Sequence, residues 1–216
     1  MQLREFTSPD ALAQASASFI AECASRAVAA RGEFWVALSG GQTPLRTWEH
    51  LATLDLAWER FTIFQVDERI APEGDRDRNL SGLRQGLSPR TPRIVAMPVE
   101  DSDVEGAAAR YGAQLPDHFD LVQLGLGPDG HTASLVAGDP GLDVTDRLVT
   151  VTGEYQGRRR MTFTYPALAR ARETLWIVSG DDTRDALARL LAGDESISAG
   201  RVGREHATVL TDLMVH

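Results

Sequence analysis

One histidine of the chain stands in a setting that suits proton transfer. His131 lies in the segment GLGPDGHTASL, residues 125–135, where three glycines and a proline precede it and Thr132 and Ser134 follow it. An imidazole takes up and releases a proton near neutral pH, and Asp129 is close enough in sequence to orient the ring. We therefore predict that His131 is a general base, with a structural capping role as the alternative.

The same segment contains the glycine spacing G-x-G-x-x-G, which is typical of dinucleotide-binding loops. That fingerprint opens a full helix, whereas only seven residues separate Gly130 from Gly138. Pro128 also removes a backbone N–H where a pyrophosphate needs donors. We expect no nucleotide here, and we expect the glycines to turn the chain steeply and bring His131 into a pocket.

A second candidate site is the turn LSGGQTP, which follows the apolar run EFWVAL. A glycine turn between a strand and a helix exposes backbone N–H groups at the positive end of the helix dipole, and this suits a phosphate. Ser39 and Thr43 can add hydroxyl donors around Gly40 and Gly41. The alternative is an ordinary helix cap at Thr43, with Pro44 at the first helical position. The turn lacks the lysine of a Walker loop and the first glycine of a nucleophile elbow.

Two further segments carry arginines. In VDER, the guanidinium of Arg69 can bind an oxyanion or a phosphate if Asp67 or Glu68 holds it in place. Three charged residues in a row also suit a solvated loop. The segment GRRRMTFT places three consecutive arginines, from Arg158 to Arg160, at the start of a predicted strand. A solvated edge is the ordinary interpretation, and the alternative is that one or two of them reach a pocket and bind an anion.

Composition limits the classes of function. The chain has 216 residues, of which 43% are hydrophobic and 25% charged, and this excludes disordered, collagen-like and coiled-coil proteins. The segment MQLREFTSPD lacks the apolar stretch of a signal peptide, and no run approaches the ~20 apolar residues that cross a bilayer, so we expect a cytoplasmic protein. A net charge of −9 argues against nucleic acid and anionic membrane as partners. The single cysteine, Cys23, excludes an internal disulfide, and the histidine spacings predict no metal site.

Alternating strands and helices must position these segments. Apolar runs predict strands over 33–38, 61–66, 93–98, 119–127, 147–152, 160–165, 174–180 and 207–212. Helical periodicity and capping residues predict helices over 8–30, from Pro44, near 77–87, over 103–115 and over 182–192. This order predicts an α/β fold in which helices cover both faces of a mostly parallel sheet. We expect one domain over residues 1–216.

Ligands of such sheets bind at the carboxyl ends of the strands. The segments 39–43, 67–69 and 125–134 all lie at that predicted edge. We therefore expect a single site to contain all three.

Taken together, LSGGQTP, VDER, LGLGPDGHTASL and RRRMTFTYPAL, in this order and at these separations, resemble the 6-phosphogluconolactonase family over roughly residues 10–212. The resemblance implies the Rossmann-like α/β fold shared with glucosamine-6-phosphate deaminases. It implies hydrolysis of 6-phosphogluconolactone to 6-phosphogluconate in the oxidative pentose phosphate pathway, with no metal or organic cofactor. The proline-rich approach that the family usually has before the arginine strand is missing here.

The resemblance also implies the roles of particular residues. Water attack on an ester carbonyl needs a base and positive charge near the developing oxyanion. His131 is expected to supply the base and Arg69 the charge, with Asp67 as the third catalytic residue. The residues expected to bind the substrate and its phosphate are Ser39, Gly40, Gly41, Thr43, Arg160, Arg158, Gly130 and Thr132.

Two other functions are compatible with a phosphate turn. A glucosamine-6-phosphate deaminase resembles this chain, but that family predicts DEY where this sequence has Asp67-Glu68-Arg69, and DGHIAFNEP where it has DGHTASLVAGDP. A non-catalytic sugar-phosphate sensor has no need of a base, so His131 opposes it. The expected partner is a small phosphosugar lactone, bound by a monomer or a weak homo-oligomer.

Overall fold

The structure is a computed structural model that describes residues 1–214. This part of the chain forms ten β-strands and six α-helices, joined by turns and short 3₁₀ helices. The strands are β1 (Gln2–Glu5), β2 (Phe34–Leu38), β3 (Phe61–Gln65), β4 (Asp67–Arg69), β5 (Arg93–Val95), β6 (Leu121–Leu124), β7 (Val149–Val151), β8 (Arg160–Phe163), β9 (Thr174–Val178) and β10 (Ala207–Thr211). The helices are α1 (Pro9–Arg31), α2 (Gln42–Thr53), α3 (Asn79–Leu87), α4 (Val104–Gly112), α5 (Tyr165–Leu168) and α6 (Arg184–Ala192).

Seven strands form the central sheet in the order β1-β10-β9-β6-β2-β3-β5. Every pair of neighbours in this sheet is parallel. The carboxyl ends of the strands therefore share one edge, as predicted from the alternation of strands and helices.

Both faces of the central sheet are covered, because its strands are apolar on both sides. In β2, Val36 belongs to the buried cluster under α1, α2 and α3, whereas its neighbour Ala37 belongs to the cluster under α4 and α6. In β9, Leu175 and Trp176 divide between the clusters in the same way. Successive strand residues point to opposite faces, so a continuous apolar run fits a sheet buried on both sides.

A second sheet of three antiparallel strands, in the order β4-β8-β7, packs against the α4 side of the central sheet. Strand β4 is the segment VDER, and it begins two residues after β3 ends. Asp67 and Glu68 are buried in it, so the interpretation of this segment as a solvated loop is wrong. The predicted strands over 147–152 and 160–165 are β7 and β8, and they belong to this sheet.

Local signals set several helix ends. The side chain of Ser8 accepts a hydrogen bond from the backbone N–H of Ala11, and Gly32 ends α1 in a left-handed conformation (φ 81°). Helix α2 begins at Gln42 with Gly41 as its N-cap and no side-chain cap, so the predicted cap at Thr43 is wrong. None of the helices in residues 1–214 combines the length and the hydropathy that a membrane span requires.

Strand β1 was not predicted. All four of its residues are exposed at the edge of the sheet, where it pairs only with β10 among the described strands. An edge strand of this kind contains no apolar run, so its sequence carries no signal of burial.

Candidate active site

The predicted segments meet at the carboxyl edge of the central sheet. They line a small cavity of about 160 Å³, which we call the inner cavity. Seven of the predicted site residues line it: Ser39, Gly40, Asp67, Arg69, His131, Thr132 and Arg160. A larger space of about 700 Å³, the outer cavity, shares Arg69, Asn79 and Arg160 with it and is also lined by Gly41 and Arg158. The expectation that distant parts of the chain share one site is met by this geometry.

Two of the predicted residues are not in the lining of either cavity. Thr43 lies in the first turn of α2, where its carbonyl accepts a hydrogen bond from Thr47 Oγ1 (3.1 Å). Gly130 lies behind the histidine loop with φ +82°, and its carbonyl accepts hydrogen bonds from Ala199 N (3.0 Å) and Ser198 Oγ (3.2 Å). Gly130 thus contributes to the site through the backbone conformation of the loop and its hydrogen bonds to residues 198 and 199.

His131 is oriented by Asp129. The imidazole Nδ1 lies 2.5 Å from Asp129 Oδ1, which also accepts the backbone N–H of His131 (3.1 Å). Burial raises the pKa of Asp129, but the hydrogen bonds and the charge of His131 outweigh that effect and lower the pKa overall. An ionised carboxylate only accepts, so we assign the ring proton to Nδ1 and the free lone pair to Nε2. That tautomer suits a general base.

Steric contact with the imidazole explains why position 127, in the loop before His131, is a glycine. A Cβ built on Gly127 lies only 2.1 Å from His131 Nδ1, so a larger residue displaces the imidazole. Gly127 also accepts the backbone N–H of Gly130 (2.9 Å) and donates its own N–H to the carbonyl of His131 (2.9 Å). The loop therefore folds tightly around the ring that it presents.

Two arginines face each other in the wall shared by the two cavities. Arg69 in β4 and Arg160 in β8 are paired directly across the antiparallel strands. Burial, and then the charge of Arg69, lower the pKa of Arg160. The Nε atoms of both arginines and Oγ of Ser39 are buried and have no hydrogen-bond partner among the described residues. An anion in the inner cavity can supply the missing acceptors.

The guanidinium of Arg69 is held by Asn79 and Asp77, whereas the neighbouring carboxylate of Glu68 accepts only the backbone N–H of Arg69 (2.8 Å). Its Nη1 donates to Asn79 Oδ1 (2.9 Å) and to the carbonyl of Asp77 (2.5 Å). Asn79 also donates from Nδ2 to the carbonyl of Asp67 (2.9 Å). A Cβ on Gly40 falls 2.0 Å from Asn79 Oδ1, so Gly40 leaves room for this contact.

Asp67 connects two segments of the site. One carboxylate oxygen accepts from Ser134 Oγ (2.6 Å) and the other from Asn79 Nδ2 (3.1 Å). The side chain is buried, with 5% of the residue exposed. These contacts tie the histidine loop to β4 and to the start of α3, which suits a positioning role.

Glu68 fixes β4 against α3. Its fully buried carboxylate accepts the backbone N–H groups of Asn79 (2.8 Å) and Leu80 (2.9 Å) at the start of the helix. It also accepts from Gln65 Nε2 (2.8 Å) and lies 3.4 Å from Arg78 Nε. A carboxylate at a helix N-terminus is stabilised by the helix dipole, so this anchor sets the position of the neighbouring Arg69.

The three consecutive arginines have three different environments. Arg160 is buried, Arg159 is exposed and pairs with Glu105 (3.0 Å), and Arg158 lines the outer cavity. Arg158 pairs with Asp75 (3.0 Å), which belongs to a segment whose residues Gly74, Arg76 and Asp77 line that cavity. The solvated-edge interpretation therefore holds for Arg159 alone.

Two site residues were missed in the sequence. Asn79 stands in a charged segment with no motif of its own, and Tyr155 lies where no strand or helix was predicted. The Tyr155 hydroxyl lies 3.4 Å from Asp129 Oδ2, and its ring contacts both His131 and Arg160. Residues 1–214 contain no group of three or more side chains that could hold a metal ion.

Comparisons with known proteins identify the family of the chain. The family model described as glucosamine-6-phosphate isomerases/6-phosphogluconolactonase matches residues 7–211. A 6-phosphogluconolactonase of Synechocystis sp. is 39% identical over 183 residues, covering 78% of this chain and 75% of the relative. One of Streptomyces coelicolor is 34% identical, covering 93% and 88%. The crystal structure of a 6-phosphogluconolactonase from Shewanella baltica superposes with a TM-score of 0.89 at 25% identity, covering 98% and 97%. The chain therefore belongs to the glucosamine-6-phosphate isomerase/6-phosphogluconolactonase family.

Proposed function

We propose that this protein hydrolyses 6-phosphogluconolactone to 6-phosphogluconate in the oxidative pentose phosphate pathway. The observation that carries the proposal is one cavity lined by His131, which pairs with Asp129, and by Arg69 and Arg160, whose Nε atoms are buried and lack a hydrogen-bond partner among the described residues. The names of relatives at 31–39% identity support the choice of substrate. A base beside a concentrated positive charge suits an anionic ester that reacts with water.

The phosphate binds where donors lack acceptors. Ser39 Oγ and the guanidinium of Arg160 supply a hydroxyl and a fixed positive charge. The turn through Gly40 and Gly41 adds the start of α2, whose first backbone N–H groups face an anion favourably. Arg158 extends this positive wall into the outer cavity.

The hydrolytic step uses Nε2 of His131. This nitrogen takes a proton from a water molecule whose oxygen bonds to the lactone carbonyl carbon, and Arg69 stabilises the oxyanion that forms. When the tetrahedral intermediate collapses, the bond from the carbonyl carbon to the ring oxygen breaks. The imidazolium returns its proton to that oxygen, and the open-chain acid remains. The Asp129 carboxylate stabilises the imidazolium between the two proton transfers.

Residues of this chain account for each step, so we propose a reaction without a metal ion or an organic cofactor. Asp67 contributes by position, since its two oxygens hold Ser134 and Asn79. Thr132 does the same in the histidine loop, where its Oγ1 donates to the carbonyl of Gly125 (2.9 Å).

We also propose that residues 1–216 act as one domain, because one buried cluster includes side chains of both sheets, such as Phe64 and Met161. The proposed location is the cytoplasm, and the proposed assembly is a monomer or a weak homo-oligomer. The partner is the small phosphosugar lactone.

The test is a lactone hydrolysis assay corrected for spontaneous ring opening. We expect acceleration by the protein and saturation with substrate, and a parallel thermal-shift measurement with 6-phosphogluconate is expected to show binding. Binding without acceleration contradicts the proposal and indicates a sensor. Release of ammonium from glucosamine 6-phosphate, with no lactone hydrolysis, indicates the deaminase reaction.

A further inference from the structure

Tyr155 lies between the two functional halves of the site. Its ring centroid is 5.6 Å from that of His131, with the planes at 64°, which is an edge-to-face contact. On the same ring, the guanidinium carbon of Arg160 lies 5.1 Å from the centroid. Aromatic faces attract cations at this distance, and edge-to-face rings pack in defined orientations. One side chain therefore contacts both the proposed base and the proposed anion-binding arginine.

The hydroxyl group of Tyr155 reaches the carboxylate that orients the base. It lies 3.4 Å from Asp129 Oδ2, the oxygen that His131 does not use. This is a long hydrogen bond and a weak one. Burial, and then the charge of Asp129, raise the pKa of Tyr155, so the hydroxyl keeps its proton and acts as a donor at neutral pH.

The backbone around Tyr155 is built to hold one position. Tyr155 and Arg158 exchange two backbone hydrogen bonds (3.0 and 3.3 Å) across a two-residue turn. Both central residues, Gln156 (φ 52°) and Gly157 (φ 76°), are left-handed, as a type I′ turn requires. Arg158 pairs with Asp75 on the facing segment. The turn is thus closed by its own backbone hydrogen bonds and anchored to the segment of Asp75 by an ion pair.

We propose that Tyr155 is a positioning residue that fixes the separation and orientation of His131 and Arg160, so that the base meets the carbonyl of a substrate held by its phosphate. This inference rests on the proposed function and identifies the side chain that holds the base and the anion-binding arginine at a fixed separation.

Two substitutions separate the contributions of the hydroxyl and the ring. Tyr155→Phe keeps the ring and removes only the weak bond to Asp129, so we expect kcat to fall by about two- to fivefold with KM unchanged. Tyr155→Leu also removes the contact with Arg160, and we expect KM to rise by about five- to twentyfold in addition.

Tyr165→Phe is the matched control. Tyr165 also carries an arginine on its ring, with Arg201 at 4.6 Å, and its hydroxyl donates to the carbonyl of Ser198 (3.0 Å), so its partners differ from the His131, Arg160 and Asp129 that Tyr155 contacts. We expect kcat and KM of this variant to stay within about twofold of the parent, as for substitutions away from a reacting centre. If both Tyr155 variants also stay within that range, the inference is overturned.

A second measurement does not depend on lactone hydrolysis. Nitrogen NMR of the imidazole, assigned with His131→Gln, reports whether Nδ1 or Nε2 carries the ring proton. We expect the parent protein to show mainly the Nδ1–H form and both Tyr155 variants to show a larger share of Nε2–H. Calorimetric binding of inorganic phosphate is expected to weaken in Tyr155→Leu and not in Tyr155→Phe.

These readouts distinguish the two possible failures. A parent protein that does not hydrolyse the lactone refutes the proposed function, whereas the NMR and phosphate results still report on Tyr155. An unchanged imidazole spectrum together with unchanged phosphate binding refutes the inference, whatever the activity. If Tyr155→Leu does not fold, the comparison of Tyr155→Phe with Tyr165→Phe tests the inference, by kcat and by the imidazole spectrum.

Discussion

Arg69 and Arg160 are direct cross-strand partners, so two like charges face each other across antiparallel strands, with Arg160 buried and Arg69 partly buried. Like charges directly opposite in a sheet destabilise it, and burial disfavours the charged form further. Burial and the charge of Arg69 accordingly lower the pKa of Arg160. We expect an anion that binds between the two guanidinium groups to offset their repulsion and to stabilise the pair.

The first prediction concerns the loss of stability that the Arg69–Arg160 pair causes in the absence of an anion. We expect Arg160→Met to raise the melting temperature of the ligand-free protein by about 2–4 °C, equivalent to about 1 kcal/mol, because one buried charge is removed. We expect phosphate to raise the melting temperature of the parent protein and to raise that of this variant much less. Melting curves with and without phosphate measure both effects. Arg159→Met, at the exposed neighbour paired with Glu105, serves as the control, and a variant that still gains full stabilisation from phosphate contradicts the role of Arg160.

The second prediction concerns the base. We expect His131→Ala to lower kcat by about 10²–10⁴-fold with little change in melting temperature, because general-base assistance is lost and the ring is partly exposed. His118→Ala, at an exposed position away from the site, is expected to retain the parental kcat. Undiminished turnover of His131→Ala removes the imidazole from the mechanism.

The third prediction concerns the oxyanion. We expect Arg69→Ala to lower kcat/KM more than His131→Ala does, because Arg69 contributes both binding and charge stabilisation. Steady-state kinetics separate the two contributions. A rise in KM at constant kcat reassigns Arg69 to phosphate binding alone.

The fourth prediction concerns the partner of the base. Asp129→Asn places an amide donor where an acceptor stood, so we expect the imidazole to change tautomer and kcat to fall by about 10²-fold or more. The lowered pKa of Asp129 makes its ionised form stabilising above the ordinary value of about 3.9, and that contribution is lost as the pH falls through the lowered pKa. We therefore expect the melting temperature of the parent to fall more steeply in this acid range than that of Asp129→Asn. Parallel acid dependence of the two proteins argues against this coupling.

The fifth prediction uses two glycines of one loop. A Cβ on Gly127 meets His131 Nδ1 at 2.1 Å, whereas a Cβ on Gly125 meets nothing within 4 Å. We expect Gly127→Ala to displace the imidazole and reduce kcat by at least about tenfold, and Gly125→Ala to remain active. Equal activity of the two variants shows that the loop tolerates movement of the ring.

Much of the architecture follows from local pattern. The apolar runs of β2, β3 and β9 are buried on both faces of the sheet. The alternation of strands and helices predicts that these strands are parallel. The second sheet did not follow from pattern, because β7 and β8 have the same kind of sequence as strands of the central sheet. The antiparallel pairing of β8 with β4, which brings β7 into the same sheet, depends on contacts between residues nearly a hundred positions apart, such as Asp67 and Thr162.

The sequence by itself determined the histidine loop, the glycine turn and the edge of the sheet at which both lie, since each depends on residues that are close together in the chain. Only the tertiary structure decided which arginine of three is buried, that Asp67 is held by Ser134 and Asn79, and that Tyr155 joins the two halves of the site. The physical reason is that periodicity and turn chemistry report the local backbone, whereas the surroundings of a side chain depend on strands and loops distant in the chain.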